Sequence, residues 1–182
     1  MAGALILWRR LDVPGHDACN LRFDSGQWHL DGAAAWRGRA GPAHLVYEVI
    51  CGEDWHSRSA RIQGRVGGQG LSLSIRRGAG GEWRVNGDEV PGSHGLTDLD
   101  LAFTAATHAL ALNRLKLSGG GDSAAAWLDE ADWRLRPLHR TYRRTDGGRW
   151  DYRAAEGGSG TTLTVNRHGL VTDFPGFWTQ ED

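Results

Sequence analysis

Between Ala60 and Arg76 the chain alternates apolar and polar residues with a period of two. Ala60, Ile62, Gly64 and Val66 take turns with Arg61, Gln63 and Arg65, and Leu71, Leu73 and Ile75 with Ser72, Ser74 and Arg76. A helix cannot gather such a set onto one side, whereas a strand sends successive side chains to opposite faces. The pattern therefore predicts antiparallel strands with one dry face and one wet face. The same pattern recurs along the chain. Ala4 to Trp8, Cys19 with Leu21 and Phe23, and Trp28 with Leu30 are short runs separated by the turn sequences VPGHD and DSG. Leu45 to Cys51 is almost continuously apolar and reads as a strand covered on both faces. Trp83 and Val85 lead into Asn86-Gly87, the strongest hairpin signal in the chain because both residues accept positive φ. Leu138 to Tyr142, Trp150 to Ala154 and Thr162 to Asn166 add further strand-like runs. Glycine clusters at 67–70, 78–81, 119–121 and 157–160 fit neither dinucleotide nor P-loop spacing and read as turns. The expectation is one mainly antiparallel β domain over 1–182.

One stretch mixes polar and apolar character more densely than any other: Leu96 to Leu117, LTDLDLAFTAATHALALNRLKL. Asp98 and Asp100 stand two apart, so a strand would send both to one face and Leu99 and Leu101 to the other. Beyond Phe103 the periods conflict. Leu99, Phe103, Ala106 and Leu110 fit helical spacing, while Leu110, Leu112, Leu115 and Leu117 fit a strand with one phase slip. The reading adopted is a short helix capped by Thr104, meeting a strand that starts near Leu110. Farther on, SGGGDS and AAAWLDEADW admit either a helix capped by Asp122 or Ser123, or a strand that Pro137 breaks or marks as an edge.

Length and charge narrow the possibilities. A chain of 182 residues can bury about 70% of its unfolded surface without a metal or disulfide. A net charge of −1 provides no basic field for nucleic acid. Cys19 and Cys51 read as two buried thiols. The basic residues Arg9 and Arg10 follow the first apolar run, which is not the order of a secretory signal, and no segment approaches the ~20 apolar residues of a membrane helix. A cytoplasmic protein is expected.

The run DLDLAFTAATHALALNRLKL resembles the signature of a bacterial family described as putative glycolipid-binding proteins, roughly Asp-x-Asp-Leu-x-Phe-Thr-Pro-x-Thr-Asn-x-Leu-Pro-x-x-Arg-Leu. Asp98, Asp100, Leu101, Phe103, Thr104, Thr107, Leu110, Arg114 and Leu115 match, while Ala105 and Ala111 replace prolines and His108 replaces the asparagine. Tyr47, Cys51, Trp55 and Arg58 in YEVICGEDWHSR, Trp83 and Gly87 in GEWRVNG, and GLVTDFPGFW at Gly169 to Trp178 extend the likeness over nearly the whole chain. The resemblance implies a long antiparallel sheet curled as a spiral β-roll around a single short helix, and a glycolipid as ligand. LSIRRGAGGEWRV from Leu73 also overlays LTVNRHGLV from Leu163, each preceded by a tyrosine, Tyr47 and Tyr142, as two similar half-sheets would be.

Eight histidines show no ligand spacing, so neither a metal nor a cofactor is expected. Nine tryptophans are a heavy load. Most belong in a core, while Trp55, Trp83, Trp127, Trp133, Trp150 and Trp178, near turns or polar neighbours, suit the mouth of a cavity, where aromatic faces stack on sugars. The leading expectation is a non-catalytic binding protein for an amphiphile, held in an apolar space of the roll. Its binding residues would be Trp55, Arg58, Trp83, Asp98, Asp100, Thr104, Thr107, His108, Arg114 and Tyr142. Two rivals stand beside it: a hydrolase using Asp98 or Asp100 with His108, and a homodimer built by edge strands without a small ligand.

Overall fold

The computed structural model of the chain describes residues 3–155 and 160–181. The glycine turn read at 157–160 lies, apart from Gly160, outside the described residues. From the N-terminus, β1 (Ala4–Arg10), β2 (Gly15–Asp24), β3 (Gln27–Gly38), β4 (Gly41–Gly52), β5 (Ser57–Val66) and β6 (Gln69–Arg77) form a continuous antiparallel meander. It ends in the small hairpin of β7 (Trp83–Val85) and β8 (Asp88–Glu89). Asn86 at φ 52° and Gly87 at φ 97° make its turn, as the dipeptide predicts.

After β9 (Asp98–Leu101) and the one α-helix among the described residues, α1 (His108–Leu115), a second meander follows. It runs through β10 (Gly120–Leu128), β11 (Leu135–Arg144), β12 (Arg149–Ala154), β13 (Thr161–Val165), β14 (Val171–Phe174) and β15 (Trp178–Glu181). Pairing of β1 with β15 joins the two meanders, and β9 adds to β10 in parallel, giving one sheet of 15 strands. The overlay of Leu73 on Leu163 lays β6 on β13, and Tyr47 and Tyr142 stand on β4 and β11.

So long a sheet must curl, because strand twist accumulates and the inner face has to leave water. The roll is open but bonded across its ends. Ser57 donates its amide to the Thr97 carbonyl (3.3 Å), the Leu99 amide donates to Ser57 Oγ (2.8 Å), and Trp83 Nε1 donates to the Leu96 carbonyl (3.0 Å). Neither outer strand offers a long free edge: β9 is buried at all four residues, and β8 is two exposed acidic residues.

The centre of the roll holds α1, with His108, Ala109, Leu110, Ala111, Leu112 and Leu115 all buried. Here the expected strand from Leu110 gives way to helix. As a helix the segment satisfies its own backbone polar groups inside the roll, and its alanines favour that while leaving room for the surrounding wall. The expected cap also moves. Thr107, not Thr104, is the N-cap, and it makes no side-chain cap bond. The Gly120–Leu128 segment, left open between helix and strand, is a strand. Pro137 sits in β11 beyond the last rung to β12, which pairs Arg140 with Ala154, so its missing N–H interrupts no ladder bond on that side. Cys19 and Cys51 are buried free thiols. No helix among the described residues is long and apolar enough to cross a membrane.

Candidate functional site

Alternation in β9 places both aspartates toward α1 and both leucines in the core, as the sequence predicts. Each carboxylate is held in a different way. Asp98, fully buried, accepts two bonds from Arg114 (3.2 and 2.5 Å) and one from Ser123 Oγ (2.6 Å). Asp100 accepts from Thr107 Oγ1 (2.8 Å) and lies 2.8 Å from Nη1 of Arg140, which is 1% exposed. That approach is out of hydrogen-bond alignment, so it is an ion pair and not a directed bond. Burial acts to raise the Asp100 pKa, but Arg140, the electrostatic influence of His108 and the Thr107 hydroxyl outweigh it and hold the group below its ordinary value.

Two tyrosines then fix the segment between β9 and α1 from opposite halves of the roll. Tyr47 on β4 donates to Asp17 (2.9 Å) and lies 3.1 Å from Thr104 Oγ1, which itself donates to Asp17 and accepts the Ala106 amide. Gly32 makes this possible: a Cβ there would fall 2.1 Å from Tyr47 Cζ. Burial pushes the Asp17 carboxyl up to about 6, against the hydrogen bonds from Thr104 and Tyr47, and its Oδ1 has no partner. On the other side Tyr142 of β11 bonds His108 Nδ1 (2.8 Å). Burial, the largest influence, lowers His108 to about 4; Asp100 opposes it and Arg140 adds to it. The imidazole is therefore neutral at neutral pH, and its Nε2 has no protein partner among the described residues.

Thr104, His108 and Asp100 form the polar floor of a cavity of about 750 Å³. Its walls are aromatic: Trp36, Trp127, Trp133, Phe174 and Trp178, with Tyr152 beside His108 (ring centroids 5.3 Å apart) and Phe177 at the rim. Trp36 and Trp133 both pack on Phe103 beneath (5.6 and 6.0 Å). Trp133 stands at φ 61°, an unusual conformation for a bulky residue, in the loop between β10 and β11. Arg10 spans the mouth. Its guanidinium lies between the Trp36 and Trp178 rings (5.6 and 5.4 Å) and donates to both Asp12 and Glu130, linking β1 to that same loop. Burial acts to lower the Arg10 pKa, but these carboxylates prevail and raise it. A further concavity of about 910 Å³, over Gly119–Gly121 and β12, holds none of Asp100, Thr104 and His108.

Of the residues expected from sequence, Asp100, Thr104 and His108 line the cavity, while Thr107 and Tyr142 stand behind and position them. Asp98 and Arg114 pair with each other away from it, so of the two aspartates offered for hydrolysis with His108 only Asp100 shares its cavity. Trp83 is wholly inside the core, where its indole N–H anchors Leu96. Trp55 stacks on Trp28 (4.3 Å) in the β4–β5 turn, and Arg58 lines a concavity outside the roll. Both lie apart from the cavity because the strands carrying them run along a different part of the roll.

Of the tryptophans expected at a cavity mouth, Trp127, Trp133 and Trp178 line this one, whereas Arg10, Trp36, Glu130, Arg140 and Tyr152 were not expected. Arg140 did leave a signal: it shares the inward phase of Tyr142, two residues on, where a charge is rarely found unpaired. As for cations, His29, Asp31 and Glu48 gather on the outer face, but Arg22 already occupies that place, 2.7 Å from Asp31 and 3.8 Å from Glu48.

A family model described as putative glycolipid-binding matches residues 5–180 of the chain. No curated protein matches significantly. The crystal structure of a DUF1089 family protein from Pseudomonas aeruginosa is similar, with 26% sequence identity, 91% of each chain covered and a TM-score of 0.76.

Proposed function

Because the chain belongs to the putative glycolipid-binding family, we propose that it binds an amphiphile, with the sugar head seated in the aromatic cavity. The supporting observation is a polar floor enclosed by aromatic walls. His108 Nε2, a nitrogen of a neutral imidazole without a protein partner among the described residues, lies beside Thr104 and Asp100, and Trp36, Trp127 and Trp133 stand around them. Indole faces pack against the C–H faces of a sugar ring, while sugar hydroxyls, which both donate and accept, hydrogen-bond to such a ring nitrogen in either tautomer. A cavity of about 750 Å³ falls within the ~300–1,000 Å³ range of small-ligand sites.

The interior of the roll is filled by α1, so the tail has no room there and lies instead along Phe174, Trp178 and Phe177 toward the mouth. The buried charges of the site are compensated, Arg10 by Asp12 and Glu130, and Asp100 by Arg140, while the exposed Arg39 and Arg153 stand at its edge without a carboxylate partner among the described residues. An uncharged head group suits the aromatic part of the site, since an anion seated between Trp36 and Trp178 would have to displace a carboxylate from Arg10.

Titration with alkyl glycosides of increasing chain length, below their micelle thresholds, tests the reading. Binding should change Trp emission and raise the melting temperature, with each added methylene contributing up to ~0.8 kcal/mol until the wall is covered. Trp133→Ala should weaken binding. No response in emission or melting at any chain length would overturn the proposal, and release of free sugar would favour hydrolysis at His108 and Asp100 instead.

A further inference from the structure

The outer face of β5 and β6 carries a second concavity, about 370 Å³, that has no connection to the aromatic cavity. Arg58, Arg61, Arg76 and Arg77 line it together with the hydroxyls of Ser59 and Ser74. The ladder sets this up. Ser59 pairs with Arg76 and Arg61 with Ser74, alternate rungs separated by Ala60–Ile75, so two arginines and two serines share one face. Between the rungs Ile50–Ser59 and Cys51–Ser57 the register slips, leaving Arg58 as an extra residue. Such a bulge re-aims a side chain, and here it adds Arg58 to the group.

Four guanidinium groups, each charged at any physiological pH, gain nothing from proximity in an otherwise slightly acidic chain. Eight of the other sixteen arginines have a carboxylate partner among the described residues, among them Arg9 with Glu181, Arg22 with Asp31, Arg84 with Glu89, Arg114 with Asp98 and Arg136 with Asp132, so what sets the four apart is their convergence on one concavity. None of these four has a carboxylate within 4.0 Å among the described residues. Glu48, the cross-strand partner of Arg61 and the single acid in the lining, turns to Arg22 (3.8 Å) and His29 (3.4 Å) instead. Arg77 adds an independent sign, because its Nε is buried without a hydrogen-bond partner. A buried donor left unmade costs about 1–3 kcal/mol, and an acceptor entering the concavity would remove that cost.

We propose that this concavity is a second ligand site, one that binds a phosphoryl group carrying at least two negative charges. Guanidinium forks match phosphoryl oxygens in pairs, and serine hydroxyls complete the set of donors. The same chemistry is offered by a soluble phosphate ester and by the head of a phosphomonoester lipid. It does not depend on the glycolipid reading, since no residue is shared with the aromatic cavity.

Calorimetry and thermal melting with inorganic pyrophosphate at low ionic strength provide the test. Pyrophosphate should bind and raise the melting temperature. Arg58→Gln with Arg76→Gln should weaken it by about tenfold or more, as expected for two lost charge-assisted bonds. Arg61→Lys, which keeps the charge but not the fork, should also weaken it and serves if the double variant folds poorly. Vesicles of phosphatidylcholine with and without phosphatidic acid separate the sources. Recruitment by phosphatidic acid that depends on Arg58 and Arg76 supports a lipid head, whereas pyrophosphate binding without recruitment supports a soluble ligand. The proposal is overturned if neither probe binds, or if binding survives unchanged in the double variant and in Arg61→Lys. Alkyl glycoside titration of the double variant should match that of the unsubstituted chain.

Discussion

Two buried groups should make the stability of this protein nearly indifferent to mild acid, and removing either one should reveal the other. His108 has its pKa lowered from 6.5 to about 4 in the fold. The unfolded chain therefore binds more protons between those values, and stability falls as pH falls through that window. Asp17 has its pKa raised from 3.8 to about 6. In its case the folded state binds more protons, and stability rises as pH falls from 6 toward 3.8. At 1.36 kcal/mol per pKa unit, moving from about pH 7.5 to about pH 4.5 costs about 3 kcal/mol through His108 and returns about 2 kcal/mol through Asp17.

The charged and titratable neighbours of His108 are Asp100, Arg140, Tyr142 and Tyr152, and those of Asp17 are Tyr47 and Cys19, with the Thr104 hydroxyl as a neutral hydrogen-bond donor. Of these, Asp100 titrates low enough to stay ionised in that window. Urea unfolding of the wild type, His108→Gln and Asp17→Asn at the two pH values isolates each contribution, because surface groups common to all three cancel. His108→Gln should gain about 2 kcal/mol on acidification and Asp17→Asn should lose about 3 kcal/mol, with unchanged m-values. If all three proteins show the same change between the two pH values, the assigned burial of both groups is wrong.

Three other perturbations probe the architecture. Arg140→Met should cost about 3–5 kcal/mol in urea unfolding, because it strands the Asp100 charge beside the helix; a cost under about 1 kcal/mol would mean that solvent reaches that carboxylate. Gly32→Ala should force the Tyr47 ring away from Asp17 and Thr104, destabilising the fold by about 1–3 kcal/mol and altering Tyr47 resonances, whereas a neutral effect would show that the ring has another place to go. Burial raises the thiols of both cysteines, Cys51 to about 12, so neither should react with a disulfide reagent in the native state while both react in denaturant; rapid native labelling would contradict their position in the core.

Much of the roll was legible before any coordinates. The alternation through β5 and β6, the Asn86-Gly87 turn and the two-residue spacing of Asp98 and Asp100 are local facts, and strand geometry converts them directly into faces and hairpins. Buried cysteines were equally local, because both stood in apolar runs. The stretch from Thr104 to Leu117 was not legible, since its apolar residues fit two periods. What decided for helix was enclosure: with the wall of the roll all around it, the buried backbone had to close its own bonds.

The site divides along the same line. Asp100, Thr104 and His108 stood out because polar residues in an apolar run attract notice, and all three line one cavity. Their partners come from far along the chain: Arg140 is 40 positions from Asp100, Trp36 and Trp133 meet over Phe103, and Arg10 reaches Glu130 across 120 residues. Spacing in sequence carries no information about such meetings. They arise because β1 pairs with β15 and the joined sheet curls, bringing strands from both halves around one helix. Trp83 and Asp98 show the converse, residues whose local surroundings resembled those of a binding site but which the curl placed in the core and in a sealed ion pair. The sequence by itself determined which residues face inward along each strand, whereas the closing of the roll decided which of them meet, because that depends on how twist accumulates over fifteen strands.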